Sequence, residues 1–216
     1  MNPAEYDAWY DTPRGRWIGE TEYRLLHGLV APNAGESLLD VGCGSGWFSR
    51  RFAAAGLDVT GVDVDADALA WARARPGPRV RYLSGDARRL PFPDRSFDRV
   101  ISVAALCFID DWRVAMAEIT RVARLGFAVG LLNRRSLLWL DKGRRGGCGA
   151  YRGAHWHEAG ELRDALATLP TGKSSIRSAV FIPSGSRFAR AAERLLPSNL
   201  PWGGFLAVSG ATRSPD

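Results

Sequence analysis

Five short β-rich runs alternate with helical patterns through the first 132 residues of the chain, and this alternation restricts the fold more than any other feature. The runs are 37–41, 58–63, 79–84, 97–103 and 127–132. Between them, 45–55 carries Trp47, Phe48, Phe52 and Ala55 at helical spacing. Likewise, 65–74 carries Leu69, Ala70 and Ala74, and 111–123 carries Val114, Ile119 and Val122. Asp65 and Asp111 stand where N-caps belong. Strands and helices in turn predict an α/β protein with a parallel sheet.

The pattern changes on either side of this core. Ahead of it, 20–30 reads as an amphipathic helix, with His27 taken as structural, and the first nineteen residues are aromatic, with Tyr6, Trp9, Tyr10 and Trp17. Behind it, 133–156 is a long Gly- and Arg-rich connection, 158–169 is a helix opened by His157 or Glu158, and 175–182 and 204–209 are two further strands. A connection that long inside a compact domain is either functional or disordered. Trp139, Tyr151 and Trp156 argue against disorder, so it is expected to form a partly ordered wall beside a site. Met116, on a helix with Ile119, is expected in the core.

At 216 residues the chain has the length of one domain, and 46% apolar residues with eight Trp exclude a disordered or fibrous chain. The longest apolar run, 100–109, is half the roughly 20 residues that span a bilayer. The N-terminus is too polar and acidic for a signal peptide, so the cytoplasm is the expected location. Cys43, Cys107 and Cys148 are odd in number and widely spaced, which supports neither a disulfide framework nor a cysteine zinc site. The net charge of +6 invites a nucleic-acid partner. Yet all basic residues except Lys142 and Lys173 are arginines scattered along the chain, which reads as compositional bias. The one cluster, Arg134, Arg135, Lys142, Arg144, Arg145 and Arg152, is either a solvated loop or the rim of a site for an acidic substrate.

The first run ends in Leu38-Leu39-Asp40-Val41-Gly42-Cys43-Gly44-Ser45-Gly46, a strand entering a glycine turn and then a helix. Glycine admits a ligand close to the backbone, and a helix N-terminus offers free N–H groups. A dinucleotide fingerprint reads GxGxxG, whereas these glycines run GxGxG with Trp47 in place of the last. Asp40, just before the first glycine, would oppose a pyrophosphate and suits a ligand bearing an ammonium group. Asp63 ends the second run, where a carboxylate can accept from both hydroxyls of a ribose, and Asp86 follows the third. Each acid alone could be a helix cap. Together they converge on the crevice at the carboxyl ends of a parallel sheet.

With these residues in place the sequence resembles the class I S-adenosylmethionine-dependent methyltransferases, and within them the small-molecule group of ubiquinone/menaquinone-biosynthesis methyltransferases. The resemblance is carried by LLDVGCGSGWFSRRFAAAG, VTGVDVDADALAWAR, YLSGDARRLPFPDRSFDRVIS and RVARLGFAVGLLN. It implies a Rossmann-like seven-stranded sheet, flanked by helices, whose last strand runs antiparallel. It also implies one methyltransferase domain over 1–216: an N-terminal lid and helix (1–30), a cofactor-binding core (38–132), a variable connection and helix (133–170) and C-terminal strands (171–216). S-adenosylmethionine is the implied cofactor and S-adenosylhomocysteine its product. The resemblance places the methionine portion on the loop from Asp40 through Gly42, Cys43, Gly44 and Gly46, the ribose on Asp63 beside Val64, and the adenine on Asp86 and Ala87. Ser102 and the residues after it, to Leu106, would lie beneath the sulfonium. Arg124-Leu125-Gly126 stands where the family commonly has a Pro-Gly-Gly turn, which predicts an altered loop before the fifth strand.

Methyl transfer is an in-line displacement that needs no protein nucleophile, but an oxygen or carbon acceptor benefits from a base. His155 and His157 in Ala154-His155-Trp156-His157 are the catalytic candidates; the alternative is that one caps the next helix while the other packs beside Trp156. His-x-His without a nearby third ligand makes no metal site, so no metal is expected. Tyr6, Trp9, Tyr10 and Trp17 either close over the cofactor as a lid or pack the first helix, and Tyr6, Tyr10 and Trp17 are counted with the cofactor site. The expected activity is methylation of oxygen or carbon on a small, ring-bearing metabolite. The alternatives are an RNA or protein methyltransferase and a non-catalytic cofactor-binding protein, with a nicotinamide-dependent dehydrogenase as the competing reading of the fold. Nucleic-acid methylation is disfavoured because Ser102-Val103-Ala104-Ala105 does not resemble the Pro-Pro-aromatic turn that similar amino-methyltransferases of nucleic acids use.

Overall fold

Neighbouring residues on the inner strands go to opposite faces of one sheet. Leu39, Val100, Phe127 and Leu206 enter one apolar cluster, while Leu38, Ile101, Ala128 and Ala207 enter another. A strand buried on both faces has no polar side to show, so it reads as a continuous apolar run. The computed structural model describes residues 2–212, so the end of the 171–216 segment, 213–216, lies outside the described residues.

Seven strands form the sheet: β1 (Ser37–Val41), β2 (Asp58–Asp63), β3 (Arg81–Ser84), β4 (Phe97–Val103), β5 (Ala123–Leu132), β6 (Thr171–Ala179) and β7 (Phe205–Thr212). Their order is β3-β2-β1-β4-β5-β7-β6. The first five pair in parallel, and β7 runs antiparallel between β5 and β6. The order reverses between β1 and β4, which opens a crevice at their carboxyl ends. This is the seven-stranded class I methyltransferase sheet with its last strand antiparallel.

Helices α1 (Pro3–Trp9), α2 (Pro13–Val30), α3 (Trp47–Ala54), α4 (Ala66–Ala74), α5 (Trp112–Val122), α6 (Ala159–Ala167) and α7 (Arg187–Leu195) flank it. Buried residues of α2 and α3, such as Leu26 and Phe52, cover one face, and those of α5 and α6, such as Ile119, Met116 and Leu162, the other. Asp65 caps α4 by accepting from Asp67 N and Ala68 N at 2.9 and 3.1 Å. Asp111 opens α5 but makes no side-chain cap bond.

The first helix of the core is longer than its apolar periodicity suggests. Thr12 Oγ1 accepts from Gly15 N at 3.0 Å, and Pro13 holds the first position, so α2 starts seven residues before 20. Helices α1 and α7 were hidden because each is short and presents few buried residues. Arg124-Leu125-Gly126 is no loop: α5 ends at Val122, β5 begins at Ala123, and Gly126 pairs with Arg99 on one side and Ala211 on the other. The β4–β5 register shifts between Phe97 and Arg99, which admits the early start of β5.

The 133–156 connection is ordered by its own polar groups. Asn133 Nδ2 donates to the carbonyls of Pro201 and Gly203, both at 2.8 Å, and Ser136 Oγ donates to Asn133 O at 2.6 Å.

Candidate active site

β1 delivers its chain into a turn that only glycine tolerates. Gly42, Gly44 and Gly46 have φ of 71°, 53° and 76°, the left-handed region that side chains disfavour. A Cβ on Gly42 would stand 2.2 Å from that of Ala105, so the loop is seated tightly on the residues after β4. A Cβ on Gly44 would meet nothing within 4 Å, because the space beside it is the cleft. Gly42 N and Cys43 N both donate to Val62 O, which ties the turn to β2.

The cleft, about 500 Å³, is lined by Asp40 near the end of β1, Gly42, Cys43 and Gly44 from the loop, Asp63 at the end of β2 with Val64 after it, and Asp86 and Ala87 after β3. The three acids expected to converge do converge. Ser49 Oγ donates to Asp40 Oδ2 at 2.5 Å, yet burial pushes the Asp40 carboxyl up to about 7. Asp63 accepts from Gly44 N at 2.7 Å and from Asp65 N at 2.9 Å, so the carboxylate that faces the cleft also shapes the glycine loop. Asp86 forms a two-pronged ion pair with Arg88. The buried Asp40 and the Asp63 carboxylate beside the glycine turn fit a cationic aminoacyl nucleoside and oppose a pyrophosphate. These residues therefore fit S-adenosylmethionine.

A second cavity, about 280 Å³, opens beside the first and is walled by Trp9, Tyr10, Ile18, Leu138, Tyr151 and Phe205. The two share Tyr6, Val103, Ala104 and Phe108. Ala104 takes φ of 57°, and the 3₁₀ turn Ala105–Phe108 that follows floors both spaces. Helix α1 roofs them. Its Asp7, 5% exposed, accepts from Ser45 Oγ at 3.1 Å and pairs with Arg50 at 2.9 Å and Arg75 at 3.1 Å. Tyr6 and Tyr10 hydroxyls are 3.1 Å apart, and Tyr10 stacks on Trp47 at 4.3 Å. Leu138, Lys142 and Cys148 through Tyr151 make the 133–156 connection the outer wall.

Several expected site residues sit elsewhere. Trp17 packs on the α2 face of the sheet and lines neither cavity. Tyr10 faces the second cavity, not the cofactor cleft. Ser102 is fully buried and donates to Val41 O at 2.7 Å, and Gly46 is turned toward Tyr82, whose hydroxyl a Cβ there would meet at 2.2 Å. Both therefore support the loop from behind. His155 and His157 also lie outside the site: Glu161 Oε1 lies 3.2 Å from His155 Nε2 and 2.6 Å from His157 Nδ1, and neither ring lines either of these two cavities. Burial holds His157 down at about 4, so the ring is neutral and its Nδ1 is the donor to Glu161. They are not placed to take a proton from an acceptor. Glu158, not His157, occupies the N-cap position of α6. His27 packs against Phe52 at 5.9 Å.

Glu22 is the titratable group that the sequence reading missed. It lines the second cavity from α2, and no described residue pairs with its carboxyl. Burial pushes it up to about 8. Its signal was present: Ile18, Glu22 and Leu26 follow one another at i, i+4, i+8, so a charge interrupts the core-facing stripe of the helix.

A cleft at the switch point of an open α/β sheet, with a GxGxG turn and acids on three strand ends, defines a nucleoside-binding enzyme fold. The chain carries a methyltransferase domain over residues 39–128, which match the family model described as a methyltransferase domain. It is 40% identical over 123 residues to the malonyl-[acyl-carrier protein] O-methyltransferase of Serratia marcescens, covering 57% of this chain and 46% of that protein. It is 37% identical over 103 residues to the demethylmenaquinone methyltransferase of Renibacterium salmoninarum, covering 48% and 43%. The chain spans about half the length of the curated relatives it matches. A solved methyltransferase of Thermotoga maritima, described as a possible histamine N-methyltransferase, superposes with a TM-score of 0.70 at 22% identity over 97% of this chain and 95% of that one, which is a likeness of fold. Among the described residues no helix is long and apolar enough to cross a membrane.

Proposed function

We propose that the chain transfers the methyl group of S-adenosylmethionine to an oxygen or carbon of a small, ring-bearing metabolite. One observation carries this reading: the acid-lined cleft and the aromatic cavity share Tyr6, Val103, Ala104 and Phe108, so two ligands seated in them touch at that junction. The relatives named above act on small or carrier-bound acceptors, in agreement with a cavity of about 280 Å³. The free thiols of Cys43, Cys107 and Cys148 suit the reducing cytoplasm.

The cofactor supplies an electrophilic methyl group on a sulfonium. The chain's own residues supply position: the glycine loop and Asp63 hold one partner, and Trp9, Tyr10, Phe205 and Tyr151 hold the ring of the other. Holding reactants in a near-attack arrangement is worth roughly 7–11 kcal/mol. The ring of Tyr6, which lines both cavities, favours a positive sulfonium beside it. Glu22, unpaired in the acceptor cavity, takes the proton that a hydroxyl or activated carbon must lose. Its carboxylate form is favoured once the sulfonium cation is bound nearby.

The test is a metabolite extract incubated with methyl-labelled S-adenosylmethionine and the protein. A labelled small product made by the wild type and lost in Glu22→Gln, with unaltered binding of S-adenosylhomocysteine, supports the assignment; label that enters only RNA or protein overturns it.

A further inference from the structure

Two imidazoles and a carboxylate meet behind the acceptor wall, and the methyl-transfer reading uses none of them. His155 and His157 flank Trp156, which enters the core at 7% exposure, so the rings emerge together with centroids 4.4 Å apart. Glu161 arrives from the first turn of α6, four residues after His157. Among the described residues this is the one group of three whose ligand atoms, one from each side chain, lie within 4.8 Å of one another. The third ligand that His-x-His lacks in the sequence is thus brought in by the fold.

We propose that His155 Nε2, His157 Nδ1 and a Glu161 carboxylate oxygen bind one divalent transition-metal ion of the zinc type. Zinc bonds of about 2.0–2.2 Å in a tetrahedron put ligand atoms roughly 3.3 Å apart. His155 and Glu161 already stand at 3.2 Å, while His157 and Glu161, at 2.6 Å, need only separate slightly. A single oxygen, Glu161 Oε1, faces both rings. Two nitrogens and one carboxylate are a donor set that suits zinc, and His155, 49% exposed, leaves an entry path and an open fourth corner. The backbone under the ligands is held firmly: His155 N donates to Cys107 O at 2.7 Å, and His157 N donates to Leu132 O at 2.8 Å. A bound ion would clip α6 to the acceptor wall and to the turn that floors both cavities.

The test is isothermal titration of chelator-treated protein with Zn²⁺, in a Cys148→Ser background that removes the exposed thiol, and with Co²⁺ followed by its visible absorption. The expected result is one ion per chain, a tetrahedral cobalt spectrum and a raised Tm. His155→Ala and Glu161→Gln should each weaken binding by more than the roughly 10- to 100-fold that loss of an outer-shell partner costs. S-adenosylhomocysteine binding, measured in the same variants, reports that they are folded. Failure of the parent to bind at micromolar concentration, or equal affinity in the folded variants, overturns the proposal and leaves a His–Glu–His hydrogen-bond cluster in its place.

Discussion

The Asp7 carboxylate accepts a hydrogen bond from Ser45 Oγ at 3.1 Å, so the first helix of the chain is bolted to the glycine loop 38 positions later. Arg50 of α3 and Arg75 after α4 close on the same carboxylate, which makes one acid the meeting point of the roof and two elements of the cofactor core. Asp7 is buried while Arg50 and Arg75 keep part of their side chains in water, so removing the carboxylate costs less than breaking a fully buried pair, about 1–3 kcal/mol. Asp7→Ala is therefore expected to lower Tm by several degrees and to expose the N-terminal segment to limited proteolysis. Asp7→Asn, which can still accept from Ser45, should recover part of the loss.

Asp63 is tied to the loop as well as to the cleft. Asp63→Ala removes the acceptor of Gly44 N and the proposed ribose contact together. Calorimetry with S-adenosylhomocysteine should show a loss of roughly 1.5–3 kcal/mol for each charge-assisted bond. Unchanged affinity in a folded variant would take Asp63 out of the site.

Glu22 sets a pH dependence of defined sign. Its carboxyl is held near 8 in the fold, above the ordinary value of about 4.3, so the folded state binds more protons than the unfolded state between those limits. This group's contribution to stability therefore falls as pH rises from about 4 to about 8. Thermal melts across that range should show Glu22→Gln losing less stability than the wild type. For catalysis the sign is opposite, because the base acts only when ionised: the rate with the acceptor found by labelling should rise with pH in the wild type, and this rise should vanish in the Gln variant.

Asp40 links cofactor binding to proton release. Burial holds it near 7, and a ligand ammonium would favour its charged form. Titrations of S-adenosylhomocysteine at pH 6 in buffers of different ionisation enthalpy should register protons leaving the protein, and Asp40→Asn should abolish them. A buffer-independent heat in the wild type would refute the link.

Arg144 and Arg145 decide between small acceptors and polyanions. Reversal of both charges should leave S-adenosylhomocysteine affinity and small-molecule turnover in place, and any RNA binding should be weak and steeply salt-dependent. A labelled RNA product that disappears in the double variant would point to the nucleic-acid reading.

Much of the fold was legible because it rests on local order. The alternating runs, the GxGxG turn and the Asp65 cap depend on residues close in the chain, whose spacing is written in it directly. So β1, β2 and β4 fall where their apolar runs predict, and Asp40, Asp63 and Asp86 reach one cleft because parallel strands end on one edge. Which side a side chain faces is decided by packing between distant segments, and no local pattern records it. Trp17 and Tyr10 are aromatic neighbours in sequence, yet one covers the sheet while the other walls a cavity. The histidines carried the right chemistry for a base but turn toward Glu161, while Glu22 is a core-facing helical residue whose unpaired carboxyl only the assembled cavity reveals. Desolvation depends on everything that surrounds a group in three dimensions, and for that reason only the tertiary structure singles out Glu22, the acid proposed as the base.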